Sequence, residues 1–269
     1  MALLQISFFS KCLKRETTFN ALLPLDGPSS EGERPLGALY LLHGYSASYT
    51  DWLTHSRIRE LSNRYRLAVF MPSGENHFYL DDEEREAWYG EFVGRELVEF
   101  TRRMFPISHR REDTLIGGLS MGGYGALRNG LHYAGTFGGI IALSSALLPY
   151  HVGDMKPDIH NGIAGYSYYR AVFGELNSVL GSDKDPEELV RRLKASGSPI
   201  PEIYMACGTE DFLLDVNRRL GQFLKEEQVG HTYRESPGSH DWDFWNEKIV
   251  DALEWAKQSF CSERDERQS

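Results

Sequence analysis

Cations are the scarcer charge in this sequence: 29 Lys and Arg stand against 39 Asp and Glu, a formal net charge of −10. Nucleic-acid binding draws its affinity from clustered cations. Here they are scattered and Arg110-Arg111 is too short a run to make a patch, so that class is excluded. Cysteine is scarce too. Cys12, Cys207 and Cys261 are far apart and form no CxxC pair, which argues against a disulfide framework or a zinc knuckle and for the reducing cytoplasm. The longest apolar runs, Leu36 to Leu42 and Phe137 to Leu143, fall well short of the ~20 residues of a membrane-spanning helix. A signal peptide needs cations before its apolar core. The apolar start, Met1 to Phe9, has none before it, is interrupted by Gln5 and Ser7, and reads as a strand. No HExxH, GxxxxGK or GxGxxG string occurs, so no metal, nucleotide or dinucleotide cofactor is expected.

With 41% hydrophobic, 12% aromatic and 25% charged residues in 269, the composition is that of a globular chain, not of a disordered or collagenous one. No compositional break divides it. One domain over 1–261 is expected, followed by a frayed polar tail at 262–269.

Leu4, Ile6 and Phe8 alternate with polar or small residues as in a strand, and Leu13 to Phe19 is a candidate antiparallel partner. Asp26 to Arg34 reads as a loop. Leu36 to Leu42 is a continuous apolar run of strand length, as in a parallel strand covered on both faces. Trp52, Ile58, Leu61 and Tyr65 carry helical spacing through Thr50 to Tyr65, and Leu67 to Met71 is a second buried strand ended by Pro72. The charge run Asp81 to Glu86 reads as solvated surface. Glu91 to Met104 reads as a helix with Phe92, Leu97, Phe100 and Met104 turned to the core. Strand Thr114 to Gly118, helix Tyr124 to Tyr133 and strand Phe137 to Leu143 continue the alternation. It implies an α/β fold, a mostly parallel sheet with helices on both faces. Residues 148–199 break the rhythm and read as a cap-like insertion over one end of the sheet, containing an amphipathic Glu187 to Lys194 helix. Strand Ile203 to Cys207, helix Leu213 to Glu227, strand Thr232 to Glu235 and helix Trp242 to Phe260 follow.

The strongest chemical signal is Gly118-Leu119-Ser120-Met121-Gly122, a G-x-S-x-G string between an apolar strand and a helix rich in small residues. A serine on such a strained turn needs neighbours without bulk two residues before and after. The helix N-terminus beneath it offers free N–H groups where an oxyanion develops. Serine needs a base, and in this architecture the order is Ser, acid, His. His132, His151, His160, His231 and His240 follow Ser120; His240, in the turn Ser236 to Trp242, is the candidate that a loop can present over the sheet's edge. The acid is expected where Ile203 to Cys207 ends. Glu210 and Asp211 compete there, with Asp211 preferred and Asp215 more distant; Asp211 could otherwise cap the next helix. At the turn His43-Gly44-Tyr45-Ser46 the Tyr45 N–H, with that of Met121, would make a two-donor oxyanion hole. His43 reads as a brace of that turn.

The runs Leu41-Leu42-His43-Gly44-Tyr45-Ser46 with Asp51-Trp52, Gly118 to Ala126, Gly208-Thr209-Glu210-Asp211-Phe212-Leu213, and Gly238-Ser239-His240-Asp241-Trp242 together resemble the esterase D-like α/β-hydrolases, and most of all their bacterial tributyrin or acetyl esterase branch. The likeness spans about Pro35 to Trp255. It implies the α/β-hydrolase fold, Ser120, Asp211 and His240 as triad, and Tyr45 and Met121 as oxyanion donors, in agreement with the residues read on their own. The expected activity is cofactor-free hydrolysis of small carboxylic esters of short, acetyl to butyryl, acyl groups. The wider family also holds S-formylglutathione hydrolases, feruloyl and acetylxylan esterases and mycolyl transferases. A thioesterase or acyltransferase with the same triad is therefore the rival within enzymes, and a non-catalytic ligand-binding scaffold the rival outside them. The stretch from His151 to Arg170, with Asp154, Asp158, His160, Asn161, Tyr166, Tyr168 and Tyr169, lacks the aliphatic face of a long-chain lipase lid. The oligomeric state, a homo-oligomer included, is left open.

Overall fold

The computed structural model describes residues 1–25, 35–157 and 159–266. The loop expected at Asp26 to Arg34, Asp158, and the last three residues of the expected tail lie outside the described residues.

Eight strands form one sheet. In chain order they are β1 (Ala2–Ser10), β2 (Arg15–Leu23), β3 (Gly37–Leu42), β4 (Leu67–Pro72), β5 (Thr114–Leu119), β6 (Gly139–Leu143), β7 (Glu202–Gly208) and β8 (His231–Ser236). Their spatial order is β1-β2-β4-β3-β5-β6-β7-β8. β1 pairs antiparallel with β2, and β2 with β4; every pairing from β4 to β8 is parallel. Five of the six parallel strands, β3 to β7, read as apolar runs because both their faces are covered; β8, at the sheet edge, is polar and part-exposed. Residues alternate between two separate cores: Ala38, Tyr40, Leu42, Ile116, Ile140 and Met205 face one, and Leu39, Leu41, Leu115, Ile141 and Tyr204 the other.

The α-helices of four residues or more are α1 (Asp51–His55), α2 (Ile58–Tyr65), α3 (Leu97–Met104), α4 (Met121–His132), α5 (Pro149–Val152), α6 (Tyr166–Phe173), α7 (Pro186–Ser196), α8 (Leu214–Glu226) and α9 (Trp242–Glu266). The first core is closed by α3, α4, α7 and α8 through residues such as Val98, Leu127, Val190 and Leu220. The second is closed by α1, α2 and α9 through Trp52, Leu61 and Ile249.

Four expectations need correction. The single helix from Thr50 to Tyr65 is two, because Ser56 is extended (φ −129°, ψ 169°). The break is held from a distance: Asn246 on α9 donates to the His55 carbonyl (2.8 Å) and accepts the Arg57 N–H (3.2 Å). Met104 is 52% exposed. A π-helical turn at Phe92–Glu96 precedes α3, and its extra residue rotates the following helix so that Leu97, Val98 and Thr101 take the buried stripe. The charge run is only partly solvated. Asp82 is buried, accepting from the Arg85 N–H and guanidinium (2.9 and 3.0 Å), while Asp81 accepts the Glu91 N–H (3.0 Å). Finally, the tail expected to fray continues α9 as far as Glu266.

Within 148–199, α6 reaches the sheet's carboxyl edge, while α7 lies along α4. Asp183 and the Tyr124 hydroxyl, which donates to the Lys184 carbonyl (2.7 Å), fasten the α7 approach to α4; the buried guanidinium of Arg128 pairs with Asp183.

Candidate active site

Three residues from three strand ends meet above the sheet. Ser120 follows β5 directly and starts α4; it sits at φ 53° and ψ −118°, a conformation costing about 1–3 kcal/mol for a residue with a side chain. The turn closes so tightly that a Cβ on Gly118 would lie 2.5 Å from the Gly122 carbonyl carbon, and one on Gly122 would lie 2.5 Å from the Leu42 oxygen. The bend thus holds Ser120 at the N-terminus of α4.

Asp211 stands in the turn after β7, and its side chain is fully buried. Its Oδ1 accepts the Leu213 N–H (2.8 Å) and its Oδ2 meets His240 Nδ1 at 2.9 Å. It therefore caps the next segment and contacts the histidine at once. Burial alone would raise its pKa, but the hydrogen bonds from His240 and the Leu213 N–H, joined by one from the Ser144 hydroxyl, outweigh burial and hold the carboxyl below its usual range. Glu210, the competing carboxylate, turns away: its Oε2 accepts the Gly238 N–H at 2.5 Å. Asp215 is 97% exposed beside Arg218.

His240 lies on the turn after β8. That turn packs on the end of β7, where a Cβ on Gly208 would fall 2.0 Å from the Gly238 oxygen. The imidazole is held edge-on by the Trp245 ring (4.9 Å, 87°) and covered by Phe212 (4.7 Å). With a carboxylate on Nδ1, that nitrogen carries the proton, so Nε2 is free to accept the Ser120 hydroxyl, 2.9 Å away. The sequence distances spanned are 120 and 29 residues. The other histidines after Ser120 lie elsewhere: His132, His151 and His160 are exposed, and His231 Nδ1 bonds to the Val229 carbonyl (2.8 Å).

The turn after β3 runs beside the serine. A Cβ on Gly44 would lie 3.6 Å from Ser120 Cβ, so the turn that carries Tyr45 passes beside Ser120. Met121 is the first residue of α4, where N–H groups have no partner within the helix. His43 is buried, its Nε2 accepting the Gly74 N–H (2.8 Å) and its Nδ1 donating to the Gly44 carbonyl (2.7 Å). Burial lowers its pKa. It is a neutral strut of the turn.

A family model described as "Putative esterase" matches residues 10–256. The chain belongs to this esterase family. It is 57% identical over 260 residues to an acetyl esterase of Caldicellulosiruptor saccharolyticus, covering 95% of this chain and 98% of that one. Among solved structures it is similar to FphF, a fluorophosphonate-binding serine hydrolase of Staphylococcus aureus (TM-score 0.83, 27% identity, 95% and 98% of the two chains). It is also similar to the S-formylglutathione hydrolase FrmB of the same organism (TM-score 0.82, 28% identity, 95% and 98%). The protein is a serine esterase with the α/β-hydrolase fold, and the esterase D-like resemblance, with its acetyl esterase branch, holds.

The sequence reading of the esterase missed the groups behind the histidine. Ser144, just past β6, is buried at φ 45°; its Oγ accepts the Trp245 indole N–H (3.1 Å), and it helps to hold the Asp211 carboxyl below its usual range. Phe212, 66% exposed yet tilted against the His240 ring at 4.7 Å, is the other. Their only signal was position at strand ends. Among the described residues no helix of the esterase is long and apolar enough to cross a membrane.

Proposed function

We propose that the esterase cleaves carboxylic esters of short acyl groups by way of an acyl-enzyme on Ser120. The observation that carries the reading is the unbroken chain Ser120 Oγ, His240 Nε2, His240 Nδ1, Asp211 Oδ2, with 2.9 Å at both contacts. Ser120 Oγ attacks the ester carbonyl while His240 Nε2 takes its proton. The carbonyl π electrons move to oxygen, and the Tyr45 and Met121 N–H groups receive that charge. The tetrahedral intermediate collapses, the C–O bond to the alcohol breaks, and His240 returns the proton to the leaving oxygen. Water then repeats the sequence against the acyl-enzyme, releasing the acid and restoring Ser120. Asp211 keeps the proton on Nδ1 and stabilises the imidazolium.

A short acyl site is supported by what stands over the turn. The Tyr45 ring lies edge-on to Tyr168 (5.7 Å) and near Phe78 (6.3 Å), which in turn packs on Phe173 (5.3 Å). These fixed aromatic walls replace an aliphatic groove. Each methylene that stays buried gains about 0.8 kcal/mol, and the gain ends where the chain meets a wall or water. The acetyl esterase relative supports the same reading. The S-formylglutathione hydrolase likeness supports a thioester as the second substrate class. The free thiols of Cys12 and Cys207 support a cytoplasmic location.

A p-nitrophenyl ester series from acetyl to decanoyl, run with fluorophosphonate labelling and intact mass, tests the proposal. The expected kcat/KM peaks between acetyl and butyryl, with one label per chain that Ser120→Ala abolishes. A maximum at decanoyl refutes the short site; labelling that survives Ser120→Ala refutes the nucleophile.

A further inference from the structure

We propose that Asn76 is a positioning residue for the oxyanion-binding turn, and that Tyr168 extends its hold to the insertion. The proposal rests on Tyr45 as an oxyanion donor and adds what keeps that donor aimed. Tyr45 lies between two anchored neighbours, and both anchors come from one loop, 73–80. Upstream, His43 Nε2 accepts the Gly74 N–H (2.8 Å) and the Tyr79 hydroxyl donates to the His43 carbonyl (3.0 Å). Downstream, the Ser46 N–H donates to Asn76 Oδ1 (2.8 Å). Ser46 is at φ 61°, a backbone state that a residue with a side chain keeps only when its surroundings hold it there. The Ser46 N–H belongs to the peptide plane that follows Tyr45 Cα. Fixing that plane and the His43 side together fixes the direction of the Tyr45 N–H.

The loop that supplies the anchors is itself in an unusual state, with Glu75, Phe78 and Tyr79 at φ 44°, 52° and 56°. Its outer tie is the Tyr168 hydroxyl of α6, which donates to the Asn76 carbonyl, while the Tyr168 ring meets Tyr45 at 5.7 Å. Asn76 thus joins three separate pieces of chain: its side chain holds the turn and its main chain is held by the insertion. Asn76 is only partly buried, so truncating it leaves the core untouched. A hydrogen-bond donor in an oxyanion hole acts only when it points at the developing charge, and a shift of about 1 Å costs on the order of 100-fold in rate.

The test uses the full chain as Asn76→Ala and Tyr168→Phe, with kcat and KM on p-nitrophenyl acetate and the Ki of an aryl trifluoromethyl ketone. The ketone carbon accepts Ser120 Oγ, His240 takes the hydroxyl proton, and the ketone oxygen becomes the oxyanion. The ketone therefore reports the hole without a leaving group. Asn76→Ala is expected to lower kcat by about 10- to 100-fold, leave KM within about twofold, and weaken the ketone by the same factor as kcat. Tyr168→Phe should follow the same pattern at about threefold, since it removes only the outer tie. A kcat for Asn76→Ala within twofold of wild type overturns the proposal. So does a fall in kcat with unchanged ketone affinity. A rise in KM or a changed acyl preference at constant kcat would show that the Asn76 side chain and the Tyr168 hydroxyl act on substrate binding and not on the oxyanion turn, and would overturn it too. Failure of the wild-type chain to hydrolyse the ester or bind the ketone would instead overturn the Ser120 reading, and the proposal with it.

Discussion

Replacing Asp211 by Asn changes one atom and forces a choice that the geometry makes explicit. Beside the contact from Ser144, the native carboxylate accepts from the Leu213 N–H at Oδ1 (2.8 Å) and from His240 Nδ1 at Oδ2 (2.9 Å). An amide has one acceptor oxygen. Where that oxygen keeps the Leu213 N–H, the NH2 faces His240, which must offer a lone pair at Nδ1 and carry its proton on Nε2. That tautomer presents a donor to Ser120 and cannot remove the hydroxyl proton. The expected loss in kcat is about 10⁴-fold, near 5.4 kcal/mol at about 1.36 kcal/mol per tenfold step. In the flipped orientation the catalytic tautomer survives, but the Leu213 N–H then faces an amide donor and loses its acceptor, at a cost of about 1–3 kcal/mol in stability. The assay is kcat on p-nitrophenyl acetate beside urea denaturation, with Glu210→Gln as companion, because Glu210 contacts the Gly238 N–H and not His240. Glu210→Gln should stay within about threefold of wild type, the range expected for a group outside the reacting chain. An Asp211→Asn enzyme that keeps more than a tenth of wild-type kcat with unchanged stability would refute the reasoning, and loss of kcat in Glu210→Gln alone would move the acid to Glu210.

Gly122→Ala should disrupt both fold and turnover, because its Cβ would meet the Leu42 and His43 carbonyl oxygens at 2.5 and 2.6 Å; a loss of about 1–3 kcal/mol by urea melt is expected, and wild-type stability would contradict the packing described. Because the folded-state pKa of Asp211 lies below its unfolded value of about 3.9, its contribution to stability is complete above that value and lost as pH falls through the folded one. Asp211→Asn should therefore flatten the acid limb of a stability profile recorded from about pH 2 to 6, and an unchanged acid limb would show that the carboxylate is not held as described. EDTA and reducing agents should leave hydrolysis unchanged; activity lost to EDTA and restored by a divalent ion would contradict cofactor-free chemistry.

The two-core sheet was legible because burial on both faces demands apolar or small residues along a central parallel strand. Leu39 and Tyr40 read alike in sequence although they serve opposite faces. Helix breaks were less legible. Ser56 is a weak local mark, its Oγ accepting the Ile58 N–H (3.2 Å) at the start of α2, but the break is also held by Asn246, 189 residues away from Arg57. The outward turn of Met104 depends on a π-helical turn that periodicity counted at 3.6 residues does not register.

Local chemistry decided what the sequence could determine by itself. Ser120 needs glycines on both sides within two residues, and strand ends, turns and helix starts are short-range features, so Ser120, Asp211 and His240 were nameable as candidates from their neighbourhoods. The choice between Glu210 and Asp211, one residue apart, needed the direction of each side chain, which the packing of the Gly238 turn on Gly208 sets. Asn76 carries no local pattern, and Ser144 and Phe212 only their positions at strand ends. Ser144 acquires its place because β6 and β7 are neighbours in the sheet, Phe212 because the turns after β7 and β8 converge, and Asn76 because the loop after β4 meets the turn after β3. Those encounters exist only once the chain has folded, since a hydrogen bond between residues 30 positions apart leaves no spacing rule in the sequence that makes it.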